Sequence, residues 1–296
     1  MKVFITGASG RMGTHIIPHL ITRGHTVTGL VRSPESAKKI EALGATAVMG
    51  TLSDKDLLVK EAKNSDGVIH CAMNHKTNDM MASYQEEKEI LDLFADSLEG
   101  TNKPIIMSSA TGFLDLGSDE TSVASNELTP RAATETSFLG YKTRGIRPIA
   151  VRLAINTHSP DEIHLFEAML IGTGRKTGSI PYIRDIRWST CNAEDAGLLY
   201  VLALEKAEPG TAVHALQDTV EVKVIAEALA KRLGLKTKEV TKDQVNEMNL
   251  GWLGSLLQMD QDVSTIWTRK TFGWEPKGQR LLDELDSSDD AYFGIA

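Results

Sequence analysis

The sequence predicts a doubly wound α/β fold: a parallel sheet with helices on both faces, joined to a smaller and mostly helical C-terminal lobe. Three observations predict it. Short, apolar, β-branched runs alternate with helix-length amphipathic segments through residues 1–155. The first run leads straight into a glycine loop that opens a helix, MKVFITGASGRMG. Beyond residue 155 the alternation lapses, and Leu253, Leu256, Leu257, Trp267 and Trp274 mark a helical region. Residues 1–155 and 189–217 are expected to build the sheet, and residues 156–188 and 218–296 the lobe.

Taken in order, Lys2 to Thr6 reads as a buried strand, apolar at Val3, Phe4 and Ile5. The loop Gly7-Ala8-Ser9-Gly10-Arg11-Met12-Gly13 follows, and then a helix with Ile16, Ile17, Leu20 and Ile21 on one face and Gly24 as its stop. The chain has 24 glycines, so spacing alone distinguishes little; the strand–loop–helix context is what makes a phosphate cradle. Gly7 allows the sharp turn, Gly10 lets backbone approach a pyrophosphate, and Gly13 lets helix pack on strand, with the free N–H groups of the helix facing the anion. Residues 25–31 form a second strand ending at Arg32-Ser33-Pro34. The residue at this strand's end meets the adenosine ribose in a dinucleotide fold, an acid selecting the 2′-hydroxyl of NAD and an arginine the 2′-phosphate of NADP. Arg32 stands there and no acid does, so the cofactor is expected to be NADP(H), with Arg11 as a second charge on the phosphate.

Residues 34–43 read as a helix with proline at its start and Gly44 past its end. Strands are expected at 45–49, 68–72, 104–108, 148–153 and 211–216, and helices at 54–64, 83–98, 162–171, 194–206 and 222–233. Gly172-Thr173-Gly174 reads as a turn, Asn192 or Glu194 as a helix cap, and Gly234 as a stop. Ala72 and Met73, at a carboxyl strand end, are expected beside the cofactor. Ser9, Met12 and Ser33 complete the expected cofactor set from the glycine loop and the second strand's end.

Composition narrows the classes. The chain has 296 residues, 41% of them hydrophobic, and a formal charge of −8, which excludes a disordered chain and a basic nucleic-acid binder. No apolar run reaches membrane-spanning length, and the apolar start is too short for a signal peptide. Two cysteines, Cys71 and Cys191, make no disulfide framework and point to a reducing, cytoplasmic setting. The acidic tail around 283–290 reads as a solvated terminus. The expected partner is a small-molecule substrate, with no nucleic acid and no membrane, on a monomer or homodimer. His70 with His75, and His158 with His164, lack metal-ligand spacing, and no GxSxG nucleophile occurs, so no metal is expected.

The strings TGASGRMG, LVRSP, VIHCAM, IIMSSATGF, IAVRL, WSTCNAEDAGLLYVLALEKA, GWLG and FGWEP span nearly the whole chain. Together they resemble the extended and atypical short-chain dehydrogenases/reductases, in particular the NAD(P)-dependent epimerase/dehydratase-like subgroup. The resemblance implies a Rossmann sheet with the lobe closing a substrate cleft, NADP bound through Arg32, and Ser109 as the serine that hydrogen-bonds a substrate carbonyl or hydroxyl. That family pairs the serine with Tyr-x-x-x-Lys on the next helix, where lysine and cofactor lower the phenol's pKa. Here the string Tyr84-Gln-Glu-Glu-Lys88 lies one helix early, and Arg131 and Glu135 occupy the usual spacing, where they are expected to pair with each other. Thr51, where that family often has an aspartate contacting adenine, Ala154 and Asn192 also depart from the pattern; the resemblance still implies Leu52 packed on the adenine ring. The expected activity is an NADP(H)-dependent oxidoreductase on a small carbonyl or hydroxyl compound. The alternatives are an NADP-sensing protein without catalysis and a sugar-nucleotide epimerase or dehydratase. For the proton donor the expected candidates are Tyr182, on the approach Gly178-Ser179-Ile180-Pro181, then Tyr141, with water as the remaining choice.

Overall fold

The chain lays its first strand down in the interior of a sheet and builds outward in both directions. The computed structural model describes residues 1–73, 80–124 and 130–294. The first half runs β1 (Lys2–Thr6), α1 (Arg11–Thr22), β2 (Thr26–Val31), α2 (Pro34–Glu41), β3 (Thr46–Met49), α3 (Lys55–Lys63), β4 (Gly67–His70), α4 (Met80–Leu98), β5 (Pro104–Ala110), α5 (Pro130–Gly140) and β6 (Arg147–Leu153). Next come β7 (Asn156–His158), α6 (Leu165–Thr177), β8 (Ser179–Tyr182), β9 (Arg187–Asn192), α7 (Ala193–Lys206) and β10 (Thr211–Ala215). The chain closes with β11 (Asp218–Glu221), α8 (Val222–Leu233), β12 (Lys236–Glu239), α9 (Lys242–Glu247), α10 (Trp252–Leu257), α11 (Ile266–Phe272) and α12 (Leu281–Ser287).

Seven strands form one sheet in the order β10-β6-β5-β4-β1-β2-β3, every neighbouring pair parallel. From β1 the chain first moves outward to β2 and β3, then returns to β4 on the other side. That reversal opens a crevice above the carboxyl ends of β1 and β4, where such sheets bind ligands. Both faces are covered. Ile16, Ile17 and Leu20 of α1 pack with Leu199, Val201 and Ala203 of α7 on one face. Leu58 of α3, Ile90 and Phe94 of α4 and Phe138 of α5 pack on the other. Each such side chain, fully removed from water, contributes about 1.5–3 kcal/mol, which is why the 3.6-residue spacing in α1 forecasts its buried face.

A second hydrophobic cluster is built from α6, α8, α10 and α12 around Trp188, whose indole N–H donates to the Leu256 carbonyl at 3.2 Å. This region differs from expectation in three ways. It carries strands: β9 joins β7 in parallel and β11 antiparallel, and β8 pairs with β12. They are three to six residues long and partly polar, Asp-Thr-Val-Glu in β11 and Lys-Thr-Lys-Glu in β12, so no period announces them. Next, Gly172-Thr173-Gly174 is no turn; α6 runs through it and stops at Gly178, φ +79°. Gly174 is needed for proximity, since a Cβ there would stand 2.7 Å from Ile180 on β8. Finally, Phe272 and Trp274, in a segment expected in the lobe, pack on the sheet with α1 and α7, and the Trp274 indole donates to the Asp195 carbonyl.

Candidate cofactor and reaction site

The glycine loop is shaped by contacts that only glycine permits. Gly7 has φ +73°, and a Cβ on it would lie 2.7 Å from Ala72 N and from the Cys71 carbonyl carbon. The turn is therefore pressed against the end of β4, which brings the Ala72 backbone against the loop. At Gly13 a Cβ would stand 2.4 Å from the carbonyl oxygens of both Gly7 and Ala8. Gly10 is the N-cap of α1, so no side chain caps that helix, and its first turn holds no acid. The N–H groups at the start of α1 are thus left for an anion beside Ser9, Arg11 and Met12.

The ribose corner is built by β2 and α2. Gly29 on β2 has no room for a side chain, because a Cβ would meet Ile40 Cδ1 at 2.5 Å and Ala8 Cβ at 2.6 Å. Helix α2 therefore sits tightly on both the strand and the loop. Arg32 is exposed at the end of β2 with no ion pair among the described residues. Ser33 caps α2 by accepting from Ser36 N at 3.2 Å. Lys39, which the sequence reading passed over, donates its ammonium to the Ser9 carbonyl at 3.3 Å. Arg11 is engaged elsewhere: it pairs with Glu162 at 2.7 Å and donates to the carbonyls of Ile163 at 3.1 Å and Glu162 at 3.4 Å. Leu52 is half-buried, packed on the cluster beneath α3, and Asp54 folds back to accept from Thr51 N at 2.7 Å and from its hydroxyl at 2.9 Å.

At the far side of the crevice β5 ends in two serines. Strand alternation sends them to opposite faces. The Ser108 hydroxyl accepts from Tyr200 on α7 at 2.7 Å, whereas Ser109 turns toward α5 and donates to the Glu135 carboxylate. Register places Ser109, Arg152 and His214 side by side on β5, β6 and β10. All three are buried. Arg152 donates to Glu135 Oε1 through Nε at 2.9 Å and through its terminal nitrogen at 2.6 Å, and reaches His214 Nε2 at 3.1 Å. His214 contacts the Ser264 carbonyl through Nδ1 at 2.7 Å, and burial holds its pKa below the usual imidazole value. Every polar group in this row is engaged by another protein group.

A family model described as NAD(P)H-binding matches residues 7–136. An uncharacterized protein of Schizosaccharomyces pombe is 35% identical over 99% of this chain and 100% of its own length. The chain belongs to the NAD(P)H-binding short-chain dehydrogenase/reductase family. The decarboxylating sterol-4-alpha-carboxylate 3-dehydrogenase of Dictyostelium discoideum is 38% identical over 34% of this chain and 28% of that one. The UDP-glucose 4-epimerase of Thermotoga maritima, solved with UDP-glucose, has the same fold: TM-score 0.73 at 16% identity, covering 99% of each chain.

This short-chain dehydrogenase/reductase differs from the family pattern at its proton-transfer positions. Arg131 and Glu135 do not pair with each other. Arg131 forks onto Glu87 of α4 at 2.7 and 2.8 Å and reaches the Ser108 carbonyl at 2.6 Å, leaving Glu135 to Ser109 and Arg152. Neither expected tyrosine is brought to Ser109. Tyr141 follows α5 at the amino end of β6, the opposite end of the sheet from the crevice, and donates to Asp92 on α4 at 2.5 Å. Tyr182 ends β8 and donates to Glu239 at 3.3 Å, an exposed carboxylate that Arg184 also holds. In the Tyr84-x-x-x-Lys88 string, Lys88 pairs with Asp92 at 2.6 Å. Asn192 is the cap of α7, accepting from Glu194 N at 3.0 Å.

The remaining chemical candidates are structural. His70 faces Thr6 across the β1–β4 register, its Nδ1 2.6 Å from the hydroxyl, and burial pushes its pKa down to about 4. Burial likewise pushes the Cys71 thiol up to about 12. His158 contacts Glu284 at 2.8 Å, His164 lies 3.5 Å from Glu167, and His75 lies outside the described residues. Among the described residues no group of three or more His, Cys, Asp or Glu is arranged to hold a metal ion, and no helix is long and apolar enough to cross a membrane. Met73 is half-buried just beyond β4.

Proposed function

We propose that the protein is an NADP(H)-dependent oxidoreductase acting on a small carbonyl or hydroxyl compound. The observation that carries the reading is the open anion site: an uncapped α1 over a glycine loop, with Arg32 at the end of β2 unpaired among the described residues. An arginine rather than an acid at that point supports NADP over NAD. Segments 156–188 and 218–296 form the proposed substrate lobe, less the stretch around Phe272 and Trp274 that packs on the sheet.

When bound, the cofactor supplies or accepts hydride. The chain's own part is positioning. Ser109, at the carboxyl end of β5, directs its hydrogen to Glu135 and so offers lone pairs to a ligand; it orients a substrate hydroxyl by accepting from it. With both tyrosines engaged elsewhere, water carries the proton to and from the substrate oxygen. A second reading, an NADP(H)-sensing protein without turnover, is favoured by one feature: the Glu135 carboxylate stands where the family keeps a lysine cation. The test is to follow NADPH oxidation over aldehydes, ketones and quinones, and NADP reduction over the matching alcohols. The oxidoreductase reading expects turnover, with NADP reduction over the alcohols falling about tenfold in Ser109→Ala, the scale of one positioning hydrogen bond. NADPH binding with no turnover across the panel supports the sensing reading instead.

A further inference from the structure

We propose that the ion pair between Arg11 and Glu162 is a latch that sets how fast the cofactor enters and leaves the glycine-loop cradle, by holding residues 159–164 at its mouth. The proposal rests on the dinucleotide reading of that loop and not on the choice between NADP and NAD. Residues 159–164 link β7 to α6 and so belong to the lobe. They fold as a unit: Ser159 and Glu162 form an antiparallel bridge, and the Ser159 hydroxyl accepts from Asp161 N at 3.2 Å. The lobe anchors them where they leave β7, since His158 Nδ1 and the Tyr292 hydroxyl meet the buried Glu284 carboxylate at 2.8 and 2.9 Å.

The other half of the contact is the cradle itself. Arg11 is the first residue of α1, beside the N–H groups left for an anion. Its guanidinium takes the Glu162 carboxylate at 2.7 Å and the carbonyls of Ile163 and Glu162 at 3.1 and 3.4 Å. One turn along the same face of α1, His15 Nε2 lies 3.8 Å from Asp161 and Nδ1 lies 3.1 Å from Glu194 on α7. A phosphate seated at the start of α1 would lie beside Arg11, so a dinucleotide has to pass the linker that Arg11 holds. The contact is of a kind that opens readily. Glu162 is exposed, and an exposed ion pair is weak and screened by salt. The pair is made in the cofactor-free chain and kept over a bound cofactor, so it slows entry and exit alike and leaves the affinity unchanged.

The experiment is stopped-flow NADPH fluorescence on the wild-type chain, Glu162→Gln, Arg11→Gln and the double variant, with thermal midpoints confirming that each folds. Glu162→Gln is expected to raise the association and dissociation rate constants together, by about three- to fivefold, the range of an exposed ion pair, with Kd within about twofold. Added to Arg11→Gln it changes neither rate further, because its partner is already gone. The gap between wild type and Glu162→Gln narrows as salt rises, and amide exchange across 159–164 quickens in the cofactor-free Glu162→Gln chain. The proposal is overturned if Glu162→Gln leaves both rates at their wild-type values, or if its effect is as large in the Arg11→Gln background as alone. Failure of both NADPH and NADH to bind the wild-type chain overturns the dinucleotide reading itself, a separate result from binding whose rates ignore Glu162.

Discussion

The two ends of the crevice treat their polar groups in opposite ways. At the glycine loop the N-terminus of α1 has no cap, Arg32 has no partner among the described residues, and Lys39 holds only a carbonyl. At the end of β5 the row from Ser109 through Glu135 and Arg152 to His214 is closed on itself and buried. Buried polar groups left without partners cost free energy, whereas exposed donors are hydrated and stay available to a ligand that displaces the water. The first end is the one the proposed NADP(H) reading assigns to a ligand. At the second, Glu135, Arg152 and His214 spend their polar groups on one another and on Ser109, whose lone pairs are what the row leaves for a ligand.

The largest effect expected from this contrast is at Glu135. Glu135→Ala strands the Arg152 guanidinium in the interior and should cost about 3–5 kcal/mol in chemical denaturation. Combining it with Arg152→Met should recover much of that loss, because the isolated charge goes with it. An inexpensive Glu135→Ala would show that the row is hydrated and open, like the cofactor end.

His70, buried at the end of β4 with its Nε2 unpartnered among the described residues, gives a pH test of burial elsewhere in the sheet. The unfolded chain takes up its proton near 6.5 and the folded chain only near 4, because burial disfavours the imidazolium. The contribution of neutral His70 is thus fully present above pH 6.5 and is lost as pH falls from 6.5 to 4, at about 1.4 kcal/mol per unit. Denaturation midpoints of wild type and His70→Gln should converge across that window, and parallel curves would contradict it.

Smaller effects are expected at the open end. Gly13→Ala inserts a Cβ 2.4 Å from two carbonyl oxygens, so it should cost about 1–3 kcal/mol of stability as overpacking and abolish measurable NADPH binding. Retained affinity in a folded Gly13→Ala variant would show that the loop does not form the cradle.

How much of this was legible in the sequence divides along the same line. The cradle is local: strand, loop and helix follow one another from Lys2 to Thr22, and each glycine's reason lies within a few residues or one strand away. The sheet is legible too, since its strands are apolar runs separated by helices of ordinary period. The reaction end is not local. Ser109, Glu135, Arg152 and His214 come from four elements, and what joins them is the register of three strands, which no spacing along the chain reveals. Tyr141 and Tyr182 were attractive by position along the sequence. The structure puts one at the amino end of β6 and the other beside Glu239 on β12. Lys39 was hidden for a similar reason, since its approach to Ser9 depends on the tight seat of α2 against Gly29. In the C-terminal part, short polar strands such as β12 carry no period, and Trp274 is fixed on the sheet by its indole donating to the Asp195 carbonyl, a contact that no local pattern reveals.

The central claim is that the open end of the crevice is an NADP(H) site. The most direct measurement is the pair of dissociation constants for NADPH and NADH on the wild-type chain, taken at one fixed ionic strength because charged contacts are screened by salt. The account predicts NADPH binding at least about tenfold tighter, the worth of one good charged contact on the 2′-phosphate. Equal affinities, or a preference for NADH, would contradict it.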